Sequence, residues 1–265
     1  MNSILKYYEE YDEDKRLFKS NVNKLEFITT IEKLNSIIKS GDKIIELGAG
    51  TGNYSFYYND KGHEVVALDI VPKHVEIIEQ KIKEKNSEKI KTYLGSAIDL
   101  SEFSDESFDV VLCLGPMYHL TSVEDQRSCI MESRRILKKD GILAIAYINK
   151  HYILANTMLN NNYLKESFIE KTLTSGIMKS EDEGNFWVES NYFTPKEIEK
   201  LVDKIGFRKI SNLATDGIGR LFSEKVNSFS EKEFDIFKNY HLASCDDESL
   251  LGYSNHGLYI VKKID

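Results

Sequence analysis

The stretch "KIIELGAGTGNYS", Lys43 to Ser55, is a short apolar run that breaks into three glycines on alternate positions, Gly48, Gly50 and Gly52. Absent side chains let backbone approach a ligand closely and permit positive φ, so glycines placed just after a strand-like run mark a point where a Cβ would be in the way. A merely tight turn accounts for one glycine, not three. The dinucleotide fingerprint G-x-G-x-x-G needs its third glycine where this chain has Asn53, so the nicotinamide or flavin reading loses its packing residue. The spacing is instead E-x-G-x-G-x-G, with Glu46 inside the strand end.

Working outward, "KIIEL" (43–47), "EVVAL" (64–68), "IKTYL" (90–94), "FDVVLCL" (108–114) and "GILAIAYI" (141–148) are apolar runs of strand length. Helix-like segments separate them: residues 53–60, "KHVEIIEQKIKEK" (73–85) and "VEDQRSCIMESRRILKK" (123–139). In the last of these, Cys129, Ile130, Ser133, Ile136 and Leu137 share one face. Strands alternating with helices predict a doubly wound, mostly parallel sheet, which binds ligands beyond the carboxyl ends of its strands. The glycine stretch sits at such an end.

Composition bounds the rest. A chain of 265 residues, 41% hydrophobic and 29% charged, can bury a full core as one domain with an accessory lid. No apolar run approaches the roughly 20 residues of a membrane-spanning helix, and the start "MNSILKYYEEYDEDKR" lacks the order of a signal peptide, so a cytoplasmic location is expected. Cys113, Cys129 and Cys245 form no close pair, which predicts idle thiols and no metal site. The formal charge of −8 disfavours nucleic acid as a partner.

The ordered set of motifs resembles the class I S-adenosylmethionine-dependent methyltransferases, whose first motif has the form E-x-G-x-G-x-G. The resemblance covers residues 41 to 148, and "TPKEIEKLVDKIGFRKI" (194–210) is similar to that family's penultimate helix and strand, with "HGLYIVKKI" as the last strand. It implies a Rossmann-like, seven-stranded α/β sheet with a helical cap from inserted segments. The cofactor would be S-adenosylmethionine, leaving as S-adenosylhomocysteine, held by Glu46, Gly48, Ala49, Gly50 and Gly52. Asp69, at the end of "VVALDI", would accept both ribose hydroxyls beside Ile70. In "GSAIDL", Ser96 stands where the family commonly has the Asp near the adenine amine, so that contact falls to backbone at Ala97 or to Asp99. Leu114 follows the fourth strand, and Thr29 or Thr30 in "LEFITT" would reach the cofactor carboxylate, with helix capping as the competing role.

The resemblance implies methyl transfer by in-line displacement to a small-molecule N or O acceptor, in a monomer or homodimer. In "LGPMYHL" the Gly-Pro turn would direct Met117, Tyr118 and His119 to the pocket. His119 is the expected base, since an unperturbed imidazole titrates near pH 6.5, and Tyr118 the expected companion; a structural role competes for both. Tyr7, Tyr8 and Tyr11 lie at helical spacing, either as a packed face or closing over the cofactor. Tyr7, Tyr11, Met117, Tyr147, Trp187 and Arg220 are the expected acceptor-pocket residues, with Tyr192, Phe193 and His241 as further candidates. The expected organisation is a helical cap over 1–40, a cofactor core over 41–150, an inserted lid over 151–193, and a C-terminal part of the sheet over 194–265 interrupted at 217–254. A non-catalytic sensor or partner subunit that binds the same cofactor, or a methyltransferase of RNA or protein, stands as the alternative.

Overall fold

The computed structural model of the chain describes residues 2–159, 164–185 and 187–264. At its centre is β1 (Ile44–Leu47), buried at every residue, as expected of a strand covered on both faces. It pairs in parallel with β2 (Val65–Asp69) on one side and β4 (Phe108–Cys113) on the other. Next to β2 lies β3 (Ile90–Leu94), and next to β4 lies β5 (Leu137–Asn149), both parallel. The chain therefore reverses its direction of travel across the sheet between β1 and β4, and the strand ends flanking that reversal leave the crevice in which open α/β sheets hold ligands.

Two antiparallel strands complete the seven expected: β9 (His256–Lys263) pairs with β5, and β8 (Phe207–Ala214) with β9. The sheet also carries two more strands. β5 overshoots its neighbours, and its last residues Ile148 and Asn149 pair in parallel with β7 (Ser190–Phe193), which pairs in turn with the two-residue β6 (Ile177–Met178). Part of the segment expected as a lid is thus an extension of the sheet.

Helices cover both faces. α3 (Asn53–Asp60) follows the glycine loop, α4 (Pro72–Lys85) begins with proline at N1, and α5 (Val123–Ile136) is capped by Ser122, whose hydroxyl accepts from the backbone N–H of Glu124 and Asp125. The expected helix over 123–139 ends at Ile136 because Leu137 turns extended and begins β5. α8 (Pro195–Val202) opens with a capping box between Thr194 and Glu197. Alternate residues of β5 divide between two cores: Ala144, Ala146 and Ile148 belong to one, Leu143, Ile145 and Tyr147 to the other.

The remaining helices are α1 (Asn2–Glu10), α2 (Asn21–Asn35), α6 (Lys150–Leu159) and α7 (Glu166–Thr174), with α9 (Ser223–Asn227), α10 (Glu231–Ser244) and α11 (Glu248–Leu251) from the segment between β8 and β9; α1, α2 and α6 each bring residues to the cavity at the strand ends. Val22 and Leu25 of α2 pack with Val226 of α9 and Phe234 of α10 in a small core of their own, so the N-terminal and late helices make one cover. Among the described residues no helix is long and apolar enough to cross a membrane.

Candidate functional site

The glycine loop leaves β1 with positive φ at Gly48, Gly50 and Gly52. A Cβ on Gly48 would stand 2.8 Å from Cδ of Pro116, in the turn after β4, so glycine is what lets the two strand-end loops close on each other. At Gly50 a Cβ would meet Cγ of Glu13 at 3.2 Å, because residues 13–16 run across the loop. Asp14 accepts from Thr51 Oγ1 at 2.9 Å and from Lys81, which fastens that crossing.

Asp69, at the end of β2, is 5% exposed. Its Oδ2 accepts the Gly50 N–H at 2.7 Å, and its Oδ1 accepts the Val71 N–H at 2.8 Å and the His74 Nδ1–H at 3.2 Å. Glu46, two residues before the loop, is buried and accepts from Ser55 Oγ at 2.5 Å; burial pushes its carboxyl up to about 8.

These groups line one wall of a cavity of about 620 Å³, in the size range of small-molecule sites. Gly48, Ala49, Gly50, Ile70, Ser96, Ala97 and Leu114 are on that wall. Across from them stands His119. Its Nδ1–H donates to the Glu189 carbonyl at 2.9 Å, which leaves the Nε2 lone pair to accept from the Tyr8 hydroxyl at 3.0 Å. Burial holds this imidazole below its ordinary value and so keeps it neutral. Trp187 lies against the ring at 4.7 Å between centroids. Tyr7 and Tyr11, one turn apart on the N-terminal helix and its continuation, stack at 5.2 Å, and Tyr7 meets Trp187 edge to face.

Part of the cavity wall is charged, through Glu13, Arg16, Arg220 and His256. Arg16 grips Glu26 with both guanidinium nitrogens at 2.8 and 3.0 Å and sends Nε to Glu13 at 2.7 Å. Arg220 bridges Glu26 at 3.3 Å and Asp216 at 2.9 Å, and His256 Nδ1 lies 2.9 Å from Asp216 and 3.2 Å from Glu26. The paired guanidinium holds Glu26 down at about 2 against the opposing effect of its burial. Glu26, Asp216 and His256 bring one ligand atom each within 4.8 Å of one another, the spacing of a metal site, yet two arginines already occupy the positions a cation would need.

Of the residues expected from sequence, Thr29, Thr30, Gly52, Asp99, Met117, Tyr147, Phe193 and His241 stand off the cavity wall, whereas Tyr192 lines it. Met117 is fully buried in the opposite core, because residues 116–118 form a 3-10 turn whose side chains diverge by about 120° and cannot all face one pocket. Tyr147 alternates onto the far face of β5, where its ring covers Gly257 of β9 and its hydroxyl donates to Asn212 at 3.0 Å. Thr30 is buried within reach of the Tyr54 phenol, and Thr29 bonds His241 at 2.9 Å, which leaves neither for a carboxylate. Gly52 caps α3 against Ile78 and Phe56. Asp99 is spent on the Ser101 N–H at 3.1 Å, so only Ala97 of the two adenine candidates lines the cavity. Tyr118 does line it, packed near His256 at 5.8 Å. The structure adds Glu13, Arg16, His74 and His256 to the cavity wall, with Glu26 and Asp216 paired behind it, and no local motif marks them; the one available signal was that "HVEIIEQ" puts a histidine five residues after Asp69, in the first turn of a helix.

A mostly parallel sheet whose strand ends bring a glycine loop, a buried carboxylate and a neutral imidazole to one cavity is the setting in which open α/β enzymes hold a nucleoside cofactor. A methyltransferase-domain family matches residues 38–203, well over half of the chain, and the chain belongs to it: it is a methyltransferase of the class I, S-adenosylmethionine-dependent kind. It is similar to an uncharacterized protein of Methanocaldococcus jannaschii, 28% identical over 88% of this chain and 93% of that one. It is also similar to the ubiquinone biosynthesis O-methyltransferase of Rickettsia felis, 31% identical over 60% of this chain and 69% of that one. The fold is shared with the 1,6-didemethyltoxoflavin N1-methyltransferase of Burkholderia thailandensis, solved with its substrate and S-adenosylhomocysteine, at 13% identity and a TM-score of 0.60 over all of this chain and 86% of that one.

Proposed function

We propose that this protein methylates a small molecule at an oxygen or nitrogen that must lose a proton, in the cavity between the glycine loop and His119. The observation that carries the reading is the tautomer of His119: its Nδ1–H is spent on a backbone carbonyl, so a basic lone pair at Nε2 is presented across from the cradle. The residues present fit the family's cofactor. Gly48 and Gly50 line the cavity with bare backbone, Asp69 stands where a ribose would lie, and Ile70 and Ala97 offer an apolar slot for a purine. S-adenosylmethionine supplies a methyl group already activated on a sulfonium. What the protein contributes is then alignment, on the order of 7–11 kcal/mol through proximity and orientation, and removal of one proton.

The acceptor's proton goes to His119 Nε2, which requires the Tyr8 hydroxyl either to hand on its own proton or to swing away. The helices α1, α2 and α6, with Trp187, serve as the cover that excludes water. Similarity to O- and N-methyltransferases of small metabolites supports the acceptor class. Calorimetry with S-adenosylhomocysteine tests the cofactor half: wild-type protein should bind it, and Asp69→Ala should lose about 1–3 kcal/mol. A Gly50→Val protein that stays folded and binds equally well would end the reading. The acceptor half is tested with a metabolite panel, where His119→Ala should lower turnover by about 10²–10⁴-fold at constant affinity for S-adenosylhomocysteine.

A further inference from the structure

Four buried side-chain atoms have no hydrogen-bond partner among the described residues: Tyr58 Oη, His74 Nε2, Arg134 Nε and Thr172 Oγ1. Only His74 belongs to the cavity wall. It is 3% exposed, in the first turn of α4, and its ring bonds Asp69 through Nδ1. Because a carboxylate oxygen accepts from a ring N–H, the proton of this bond is on Nδ1, and the neutral tautomer that the bond selects has its lone pair on Nε2. The nearest aromatic neighbour, Tyr8 at 5.4 Å between centroids, has its hydroxyl on His119, and the adjacent Lys73 Nζ is spent on the Glu9 carbonyl. Among the described residues Nε2 has no hydrogen-bond partner.

Asp69 is meanwhile nearly saturated. A carboxylate has about four lone-pair positions. The Gly50 N–H, the Val71 N–H and the His74 Nδ1–H take three of them, leaving one on Oδ2. A ribose brings two adjacent hydroxyl donors, one more than Asp69 can accept in this arrangement. The shortfall of one acceptor at Asp69 and the surplus of one at His74 lie on directly bonded residues.

We propose that His74 is a second ribose-reading residue: Nε2 accepts one of the two cofactor hydroxyls while Asp69 Oδ2 accepts the other. The inference rests on the cofactor reading above and adds to it a division of labour. The loop is held by Asp69 at the same time as the ribose, so the glycine cradle keeps its shape when the cofactor binds, and the site selects for an intact cis-diol through two separate side chains.

The test is calorimetry with S-adenosylhomocysteine and its 2′-deoxy and 3′-deoxy analogues on three proteins. Wild type should bind each deoxy analogue about 10- to 100-fold more weakly, the range expected for leaving one buried polar group unpaired. His74→Asn keeps a donor for Asp69 but has no acceptor at the Nε2 position, so it should bind S-adenosylhomocysteine more weakly by the same factor and cease to discriminate against one of the two analogues only. His74→Gln, whose amide oxygen reaches the Nε2 position, should regain that discrimination at least in part. Unchanged discrimination by His74→Asn against both analogues overturns the proposal, as does an equal loss in the Asn and Gln proteins, which would make His74 a prop for Asp69. Wild-type protein that does not bind S-adenosylhomocysteine at all would defeat the cofactor reading itself, whereas binding with unaltered discrimination defeats this inference alone.

Discussion

Glu46 carries a carboxyl in a place where a charge is poorly tolerated, fully buried at the end of the central strand with one hydroxyl as partner. Its folded value near 8 lies above the unfolded one near 4.5, so the folded state holds a proton that the unfolded state releases. Stability is therefore lost as pH rises from about 4.5 to about 8. Glu46→Gln, which keeps the bond to Ser55, should stabilise the protein by about 2–4 kcal/mol at pH 8 and hardly at all at pH 4.5. Thermal melts of both proteins across that range decide it; parallel curves would mean the carboxyl is ionised when folded. His119 works in the opposite direction. Its folded value is depressed by burial, so its contribution is present above the unfolded value near 6.5 and fades as pH falls through it. Nitrogen-detected NMR of the ring should show Nδ1 protonated and Nε2 bare at pH 7; the reverse tautomer would remove the proposed base. Gly48, Gly50, Asp69 and His119 could be read from the sequence because each lies at the carboxyl end of a strand or in the turn after it, so local order gives place. His74 and Arg16 could not, because what makes them notable is a partner, and partners are fixed only when the segments meet.

At the scale of elements, α1 shows how a helix too short to persist alone becomes a wall of the site. Nine residues are marginal in water, and α1 is held by contacts at several points: Ser3 bonds Glu189, Tyr8 bonds His119, and Tyr7 packs on Trp187. All of these involve the turn after β4 or the segment that leads into β7. Hydrogen exchange should therefore find α1 and residues 187–190 opening together, both gaining protection with S-adenosylhomocysteine. Tyr8→Phe should speed exchange in both segments; acceleration in α1 alone would show that they are not coupled. The tyrosine spacing revealed the helix in advance. The strands β6 and β7 stayed hidden, since two and four residues carry no periodicity and β7 exists by pairing with the overhang of β5. At its opposite end β5 also starts early, so the helix before it ends sooner than expected: "LKKDG" is taken into the strand.

The whole molecule is tied together at one buried charge network. Arg16 comes from the turn after α1, Glu26 from α2, Asp216 and Arg220 from the segment after β8, and His256 from the start of β9, so the cover and the sheet meet on five side chains. Asp216 is fully buried and accepts in addition from Ser254 Oγ and the Asn255 N–H at 2.7 Å each. Such a network gains little over well-packed apolar residues, but removing one member strands the others, at about 3–5 kcal/mol. Glu26→Gln leaves Arg16 and Arg220 without their shared anion and should cost that much at pH 7 in chemical denaturation. The pH dependence gives a second readout. Glu26 is depressed to about 2 in the folded state, and Asp216 is held below the usual carboxylate range by His256 and Arg220 despite its burial. Their contribution is present above the unfolded values near 4 and is lost as pH falls toward the folded ones. Wild type should then lose stability steeply below pH 4.5, and Glu26→Gln should do so less steeply, because one of the two groups that must be protonated is gone. A Glu26→Gln protein with an unchanged acid limb and a loss below about 1 kcal/mol would show the network to be no more than a surface pair in effect. Since Glu46 weakens the fold above pH 4.5 while Glu26 and Asp216 weaken it below, and His119 begins to weaken it under pH 6.5, the maximum of stability should lie in the mildly acidic range for wild type and move upward in Glu46→Gln.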